Sequence, residues 1–185
     1  MAEIVLGGLS PEHPFSVMIE ARPERWREPQ APFPQADDLR KVIGLVFHLY
    51  RNPTQNTPEH LTEVLGGVVG RQVSYYTDAA IWLGLVRRYS VDRWSITKAG
   101  RTWCESSDED KMRVLTDAVL GGEAFHAAAR SYLEGGLKHD EGRILALVGG
   151  EGGINRTTAR RRALTVRSWI ETLYTSSPGG DLFAA

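Results

Sequence analysis

Apolar residues recur at helical spacing from Leu39 onward: Leu39, Val42, Ile43, Val46, Phe47, Leu49 and Tyr50 lie three or four apart, the period that lines one side of an α-helix. Asp37 and Asp38 precede them, where the positive end of the helix dipole favours acids, and Asn52-Pro53 closes the run. Thr57-Pro58 then supplies an N-cap hydroxyl and a proline at the first helical position of a short second helix, with Leu61, Val64 and Leu65 as its apolar residues and Gly66-Gly67 ending it. A third helix is predicted from Arg71 to Leu83. Val73, Tyr76, Ala80 and Leu83 lie on one side of it and Arg71, Gln72, Ser74, Tyr75 and Asp78 on the other. Beyond it the pattern changes, and Leu85 to Tyr89 and Arg93 to Thr97 read as two strands around a turn at Ser90 to Asp92. Three helices, a glycine-containing turn between the last two, and a two-stranded ribbon make a winged helix-turn-helix. Residues 35–104 are therefore expected to form such a domain, closed by a fourth helix from Thr97 through Trp103.

The rest of the chain, 105–175, is predicted to be helical: Asp108 to Leu120, Glu123 to Leu133 and Glu141 to Val148. After the glycine-rich stretch Gly149 to Gly153, a last helix runs from Asn155 or Thr157 to Tyr174. A short helix, a glycine turn and an arginine-bearing helix occur here too, so a second helix-turn-helix is an open reading of this C-terminal domain. Residues 1–34 carry six of the nine prolines, which remove amide donors and disfavour helix, and are expected to be an extended arm. Residues 176–185, with Pro178, Gly179 and Gly180, are expected to be a flexible tail. The fold class is thus mainly α with a small β-hairpin wing.

Composition narrows the function classes. Hydrophobic content of 42% and charged content of 24% suit a soluble globular protein, no run of about 18 apolar residues could span a bilayer, and Met1 to Leu9 lacks the basic start of a secretory signal. One cysteine, Cys104, permits neither an internal disulfide nor a cysteine-based zinc site, so a cytoplasmic location is expected. The net charge of −1 hides a segregation. Gly70 to Arg101 holds six basic residues against two acidic, Glu105 to Glu123 holds six acidic against two basic, and Arg156 to Arg167 carries five arginines and no acid. Two basic islands flank one acidic segment.

Two segments carry a family resemblance. Gly70-Arg71-Gln72-Val73-Ser74-Tyr75-Tyr76, continuing through Leu83-Gly84-Leu85 to Ile96-Thr97-Lys98-Ala99-Gly100, and Thr157-Thr158-Ala159-Arg160-Arg161 through Val166-Arg167-Ser168-Trp169, resemble the winged-helix modules attached to bacterial restriction-type nucleases and defence proteins. In those modules R-Q-x-x-Y-Y opens the recognition helix, leucine-glycine-leucine leads into the wing, and L/I-T-x-x-G closes it. The resemblance covers roughly Gln35 to Tyr174, with no recognisable nuclease domain beside it. It implies recognition of DNA, with cleavage or signalling left to a separate nuclease or other effector protein.

The residue types suit that role. In a major groove Arg71 would pair with guanine and Gln72 with adenine, while Ser74 and Tyr75 would reach phosphate or base; the plain alternative is a solvated first helical turn with Tyr75 packed on the first helix. The hairpin offers Arg87, Arg88 and Arg93 to phosphates or to a minor groove, or else guards an exposed edge against pairing. Trp94 reads as core. In the last helix Arg156, Arg160, Arg161, Arg162 and Arg167 form the strongest charge feature, a basic stripe with Thr158 as a further DNA-contacting candidate, or alternatively pair with the acidic segment 105–123. Catalysis is not expected. Glu109-Asp110-Lys111 has the E-x-K spacing of metal-dependent nucleases but sits in the first turn of a helix without an upstream acid on a strand, and no P-loop, G-x-S-x-G or HExxH motif is present. No cofactor or metal is expected. The function anticipated is therefore double-stranded DNA binding in a bacterial or phage system, as the recognition subunit of a defence or restriction-modification complex or as a transcription regulator. The alternative is a winged-helix assembly module. A homodimer remains open, since helix-turn-helix proteins commonly read two-fold sites.

Overall fold

A computed structural model describes residues 33–68, 70–135, 141–149, 154–176 and 181–183 of the 185. The elements are α1 (Leu39–Arg51), α2 (Pro58–Val64), α3 (Arg71–Trp82), β1 (Val86–Ser90), β2 (Arg93–Ile96), α4 (Lys98–Glu105), α5 (Asp108–Leu120), α6 (Glu123–Gly135), α7 (Glu141–Gly149), α8 (Arg156–Thr175) and a 3-10 turn at Asp181–Phe183. The order and type of elements from α1 to β2 are those of a winged helix-turn-helix, and the protein is mainly helical with one small hairpin. The arm expected over 1–34 lies outside the described residues except at its end, where Phe33 is buried. No helix among the described residues is long and apolar enough to cross a membrane.

Helix α1 is the axis of the packing. Asp38 caps it, accepting a hydrogen bond from the Lys41 amide at 3.2 Å, and Leu39, Val42, Ile43, Leu45, Val46, Phe47 and Leu49 are all buried because α2, α3, α4, β2 and α8 surround it. Thr57 stands at the N-cap of α2, as expected, but its hydroxyl meets His60 Nδ1 at 3.0 Å and bonds no backbone amide; Pro58 at the helix start leaves one fewer donor to satisfy.

The passage from α3 into the wing and back out explains the L-G-L and I-T-x-x-G segments physically. Gly84 has φ +74°, a left-handed conformation that turns the chain from α3 into β1 with little steric cost for glycine. Thr97 caps α4 by accepting from the Gly100 amide at 2.9 Å and donates its own hydroxyl to the Gly84 carbonyl at 2.8 Å. Gly100 is itself buried against the Leu85 carbonyl, where a Cβ would overlap it. The strands pair antiparallel as Val86 with Ile96, Arg87 with Ser95 and Arg88 with Trp94, with a bulge between Arg88 and Ser90. Trp94 is buried, as its reading as core requires. Asp92, in the turn, holds φ 55°; Asp92→Gly is expected to raise stability by about 0.5–1 kcal/mol in chemical denaturation, because glycine removes the left-handed strain.

Two expectations are corrected. Segments 35–104 and 105–175 do not have separate cores: one contiguous set of buried residues runs from Phe33 to Phe183. Its seam is aromatic, with Trp169 of α8 5.9 Å from Trp82 of α3 and 5.4 Å from Phe125 of α6, and Phe33 stacked on Phe125 at 5.6 Å. Large rings reaching across the joint fuse the halves. The segment 176–185 is also not wholly loose, since the 3-10 turn buries Leu182 and Phe183, the latter edge-on to Trp103 at 5.8 Å. Two apolar side chains in this tail outweigh its proline and glycines. The Trp169 indole donates to the Ala36 carbonyl at 2.8 Å in a buried setting. Trp169→Phe, which keeps a ring but strands that carbonyl, is expected to cost about 1–3 kcal/mol in urea melts.

Candidate nucleic-acid interface

The two basic islands meet at one place. Arg71 and Gln72 open α3 and are exposed, with Ser74 and Tyr75 half-buried behind them. The Arg71 guanidinium lies 5.6 Å from the centre of the Tyr75 ring, and the Tyr75 hydroxyl accepts from Arg161 of α8 at 3.4 Å, a contact between residues 86 apart in the chain. One phenol therefore sits between two guanidiniums, one from each half of the protein. The Trp169–Ala36 bond and the Trp82–Trp169 contact hold α8 against α3 just behind it. A cleft of about 480 Å³ opens at this junction between α3, residues 35–37 and α8, with Arg71, Tyr75, Arg161 and Leu164 on its walls. A smaller hollow of about 300 Å³ flanks the other side of Arg71 and Tyr75, towards Phe33 and Asp78.

Helix α8 sorts its arginines by side. Asn155 caps it, accepting from the Thr158 amide at 2.9 Å, so Thr158 contributes its backbone to the helix start and its side chain is half-buried. Arg156, Arg160 and Arg161 are exposed. Arg162 lies on the inward row with Val166, Trp169 and Leu173; it is buried, donates to the Val148 carbonyl at 3.1 Å and covers the Phe33 ring at 5.2 Å. Arg167 is half-buried. It does not line the cleft, which takes Arg161 and Leu164 from α8. Among the described residues Arg156, Arg160, Arg161 and Arg167 have no carboxylate partner. Three of the acidic residues are engaged elsewhere: Asp108 pairs with Lys111 at 3.0 Å, Asp110 with Arg113 at 3.2 Å, and Glu105 accepts from Tyr50 at 3.0 Å.

The wing arginines are placed differently from one another. Arg87 is exposed and donates to Ser95 Oγ at 3.2 Å. Arg88 lies 3.6 Å from Asp78 of α3 and 5.7 Å from the Trp94 ring centre, stitching wing to helix. Burial is the larger influence on Asp78, raising its pKa, with Arg88 acting in the opposite direction. Arg93 donates to Asn56 Oδ1 at 3.2 Å, on the loop before α2. Arg87 is thus the wing cation with the least structural employment.

The remaining chemical candidates are tied into the fold. Lys111 is buried, with its ammonium on the Ser106 carbonyl at 2.7 Å, and Ser107 and Arg113 hold Asp110 below its ordinary carboxylate pKa. The Glu109-Asp110-Lys111 triplet thus serves the start of α5 through its cap and turn. Burial pushes the Cys104 thiol up to about 11. The native protein at pH 8 is accordingly expected to react with a thiol reagent at least about 10-fold more slowly than the urea-unfolded chain, because the thiolate is the nucleophile. Sequence reasoning missed Asp37 and Leu164 as cleft residues. Leu164 left a trace, being an apolar residue off the buried row of α8 and 57% exposed; Asp37 left none, because its neighbour in the fold is 39 positions away, at Tyr76.

Residues 41–177 match the model of a family described as Domain of unknown function (DUF7226). No curated protein and no solved structure matches the chain.

Proposed function

The chain belongs to the DUF7226 family, and we propose that it is a double-stranded DNA-binding protein without catalysis of its own. The observation that carries this reading is the Arg71–Tyr75–Arg161 junction, which sets the first turn of α3 and the exposed side of α8 on one surface. Arg71, Gln72 and Tyr75 address the duplex from α3. Arg156, Arg160 and Arg161 neutralise phosphates from α8, and Arg87 does so from the wing. These cations are available to phosphate because their own helices and the acidic segment do not use them in ion pairs. Ser74, Arg88, Arg93, Thr158 and Arg167 are the weaker members of the expected set, being half-buried or bonded within the protein. We place the protein in a bacterial cytoplasm, as a recognition component acting with a separate effector.

Fluorescence anisotropy with a labelled mixed-sequence duplex of about 20 base pairs tests the reading. Saturable binding at low salt is expected, weakened about 5- to 10-fold by Arg160→Ala, whose exposed side chain makes no hydrogen bond, ion pair or ring contact among the described residues. Absence of binding at low salt to any duplex would refute it.

A further inference from the structure

We propose that the cleft between α3 and α8 receives one unpaired nucleotide, so that the protein prefers duplex DNA carrying an end overhang, flap or gap to continuous duplex. The inference rests on the DNA-binding reading and adds a selectivity to it. The start of α3 does not stand free as a ridge. Residues 33–37 flank it on one side and α8 on the other, leaving hollows of about 480 and 300 Å³ against Arg71 and Tyr75. A continuous duplex offers stacked bases behind a regular backbone and has nothing to fill such a recess. A nucleotide outside the stack does, and about 480 Å³ lies within the range of roughly 300–1,000 Å³ typical of small-molecule sites.

The lining matches the parts of a nucleotide. Arg71 and Arg161 stand at the cleft with no carboxylate partner among the described residues, as a phosphate requires. The Tyr75 ring and Leu164, an apolar side chain 57% exposed beside a basic stripe, offer surface to the face of a base. Gln72 and Asp37 supply an amide and a carboxylate to its edge. The carboxylate, an acceptor when ionised, favours bases with an exocyclic amino group over thymine, whose single N–H lies between two carbonyls.

The test is anisotropy on the full chain with four labelled DNAs of equal duplex length: blunt, with a three-adenine overhang, with a three-thymine overhang, and with a one-nucleotide gap. The overhang and gap are expected to bind about 10-fold tighter than the blunt duplex, the order of one stacked base. Leu164→Trp, which fills the cleft from an exposed position, is expected to bring overhang affinity down to the blunt value, and three thymines are expected to bind more weakly than three adenines. Equal affinities for blunt, overhang and gapped DNA would overturn the preference and leave duplex binding intact, whereas no binding to any of them would overturn both. Displacement of blunt and overhang DNA alike by free adenosine monophosphate would also overturn it, assigning the cleft to a small effector.

Discussion

Gly100→Ala is expected to cost more than about 3 kcal/mol of folding stability, a large share of what a domain of this size possesses. The added methyl would stand 2.8 Å from Ile96 Cγ1 and closer still to the Leu85 carbonyl. The backbone neighbour cannot yield cheaply. The Leu85 carbonyl accepts from the Thr97 amide at 3.0 Å, and the same threonine caps α4, so moving that carbonyl loosens the wing and the helix after it together. A thermal melt followed by circular dichroism should show a midpoint lower by roughly 6–12 °C. A midpoint within about 2 °C of the parent would mean that α4 and the wing are not packed as described.

Removing Arg71 and Arg161 together is expected to weaken duplex binding about 100-fold or more, while the fold is retained because both side chains are exposed. The two effects should not simply add. Both guanidiniums engage Tyr75, one over its ring and one at its hydroxyl, so loss of either frees the phenol and alters how the other is held. A double-mutant cycle by anisotropy should return a coupling of about 0.5–1 kcal/mol or more, the sign of residues that share a partner. Independent additivity would place the two arginines on separate surfaces and dissolve the single interface.

The local pattern carried most of the fold and little of the site. Residues 108–120 form a helix within the bounds that periodicity predicts, and Ser107 caps it. The hairpin appears one residue later than alternation suggested, starting at Val86, because Gly84 and Leu85 are spent on the turn out of α3. Periodicity has no term for contacts across the chain. The burial of Phe33 and Phe183 and the fusion of two expected domains through Trp82, Phe125 and Trp169 all depend on such contacts. The arginines show the same division. Five in twelve residues read as one basic stripe, yet the fold buries Arg162 in the core and half-buries Arg167, leaving Arg156, Arg160 and Arg161 exposed. The bipartite surface itself rests on Tyr75 meeting Arg161 across 86 residues, which no local signal encodes.

The salt dependence of duplex binding tests the central claim most directly, because neutralised phosphates release counterions and set the slope of log affinity against log salt at about 0.9 for each contact. For the parent protein a slope steeper than about −3 is expected, from Arg71, Arg87, Arg156, Arg160 and Arg161. The Arg71→Ala, Arg161→Ala pair is expected to make it shallower by about 2. A parent affinity that does not change with salt, or a slope the paired substitution leaves unaltered, would contradict the assignment of this surface to DNA.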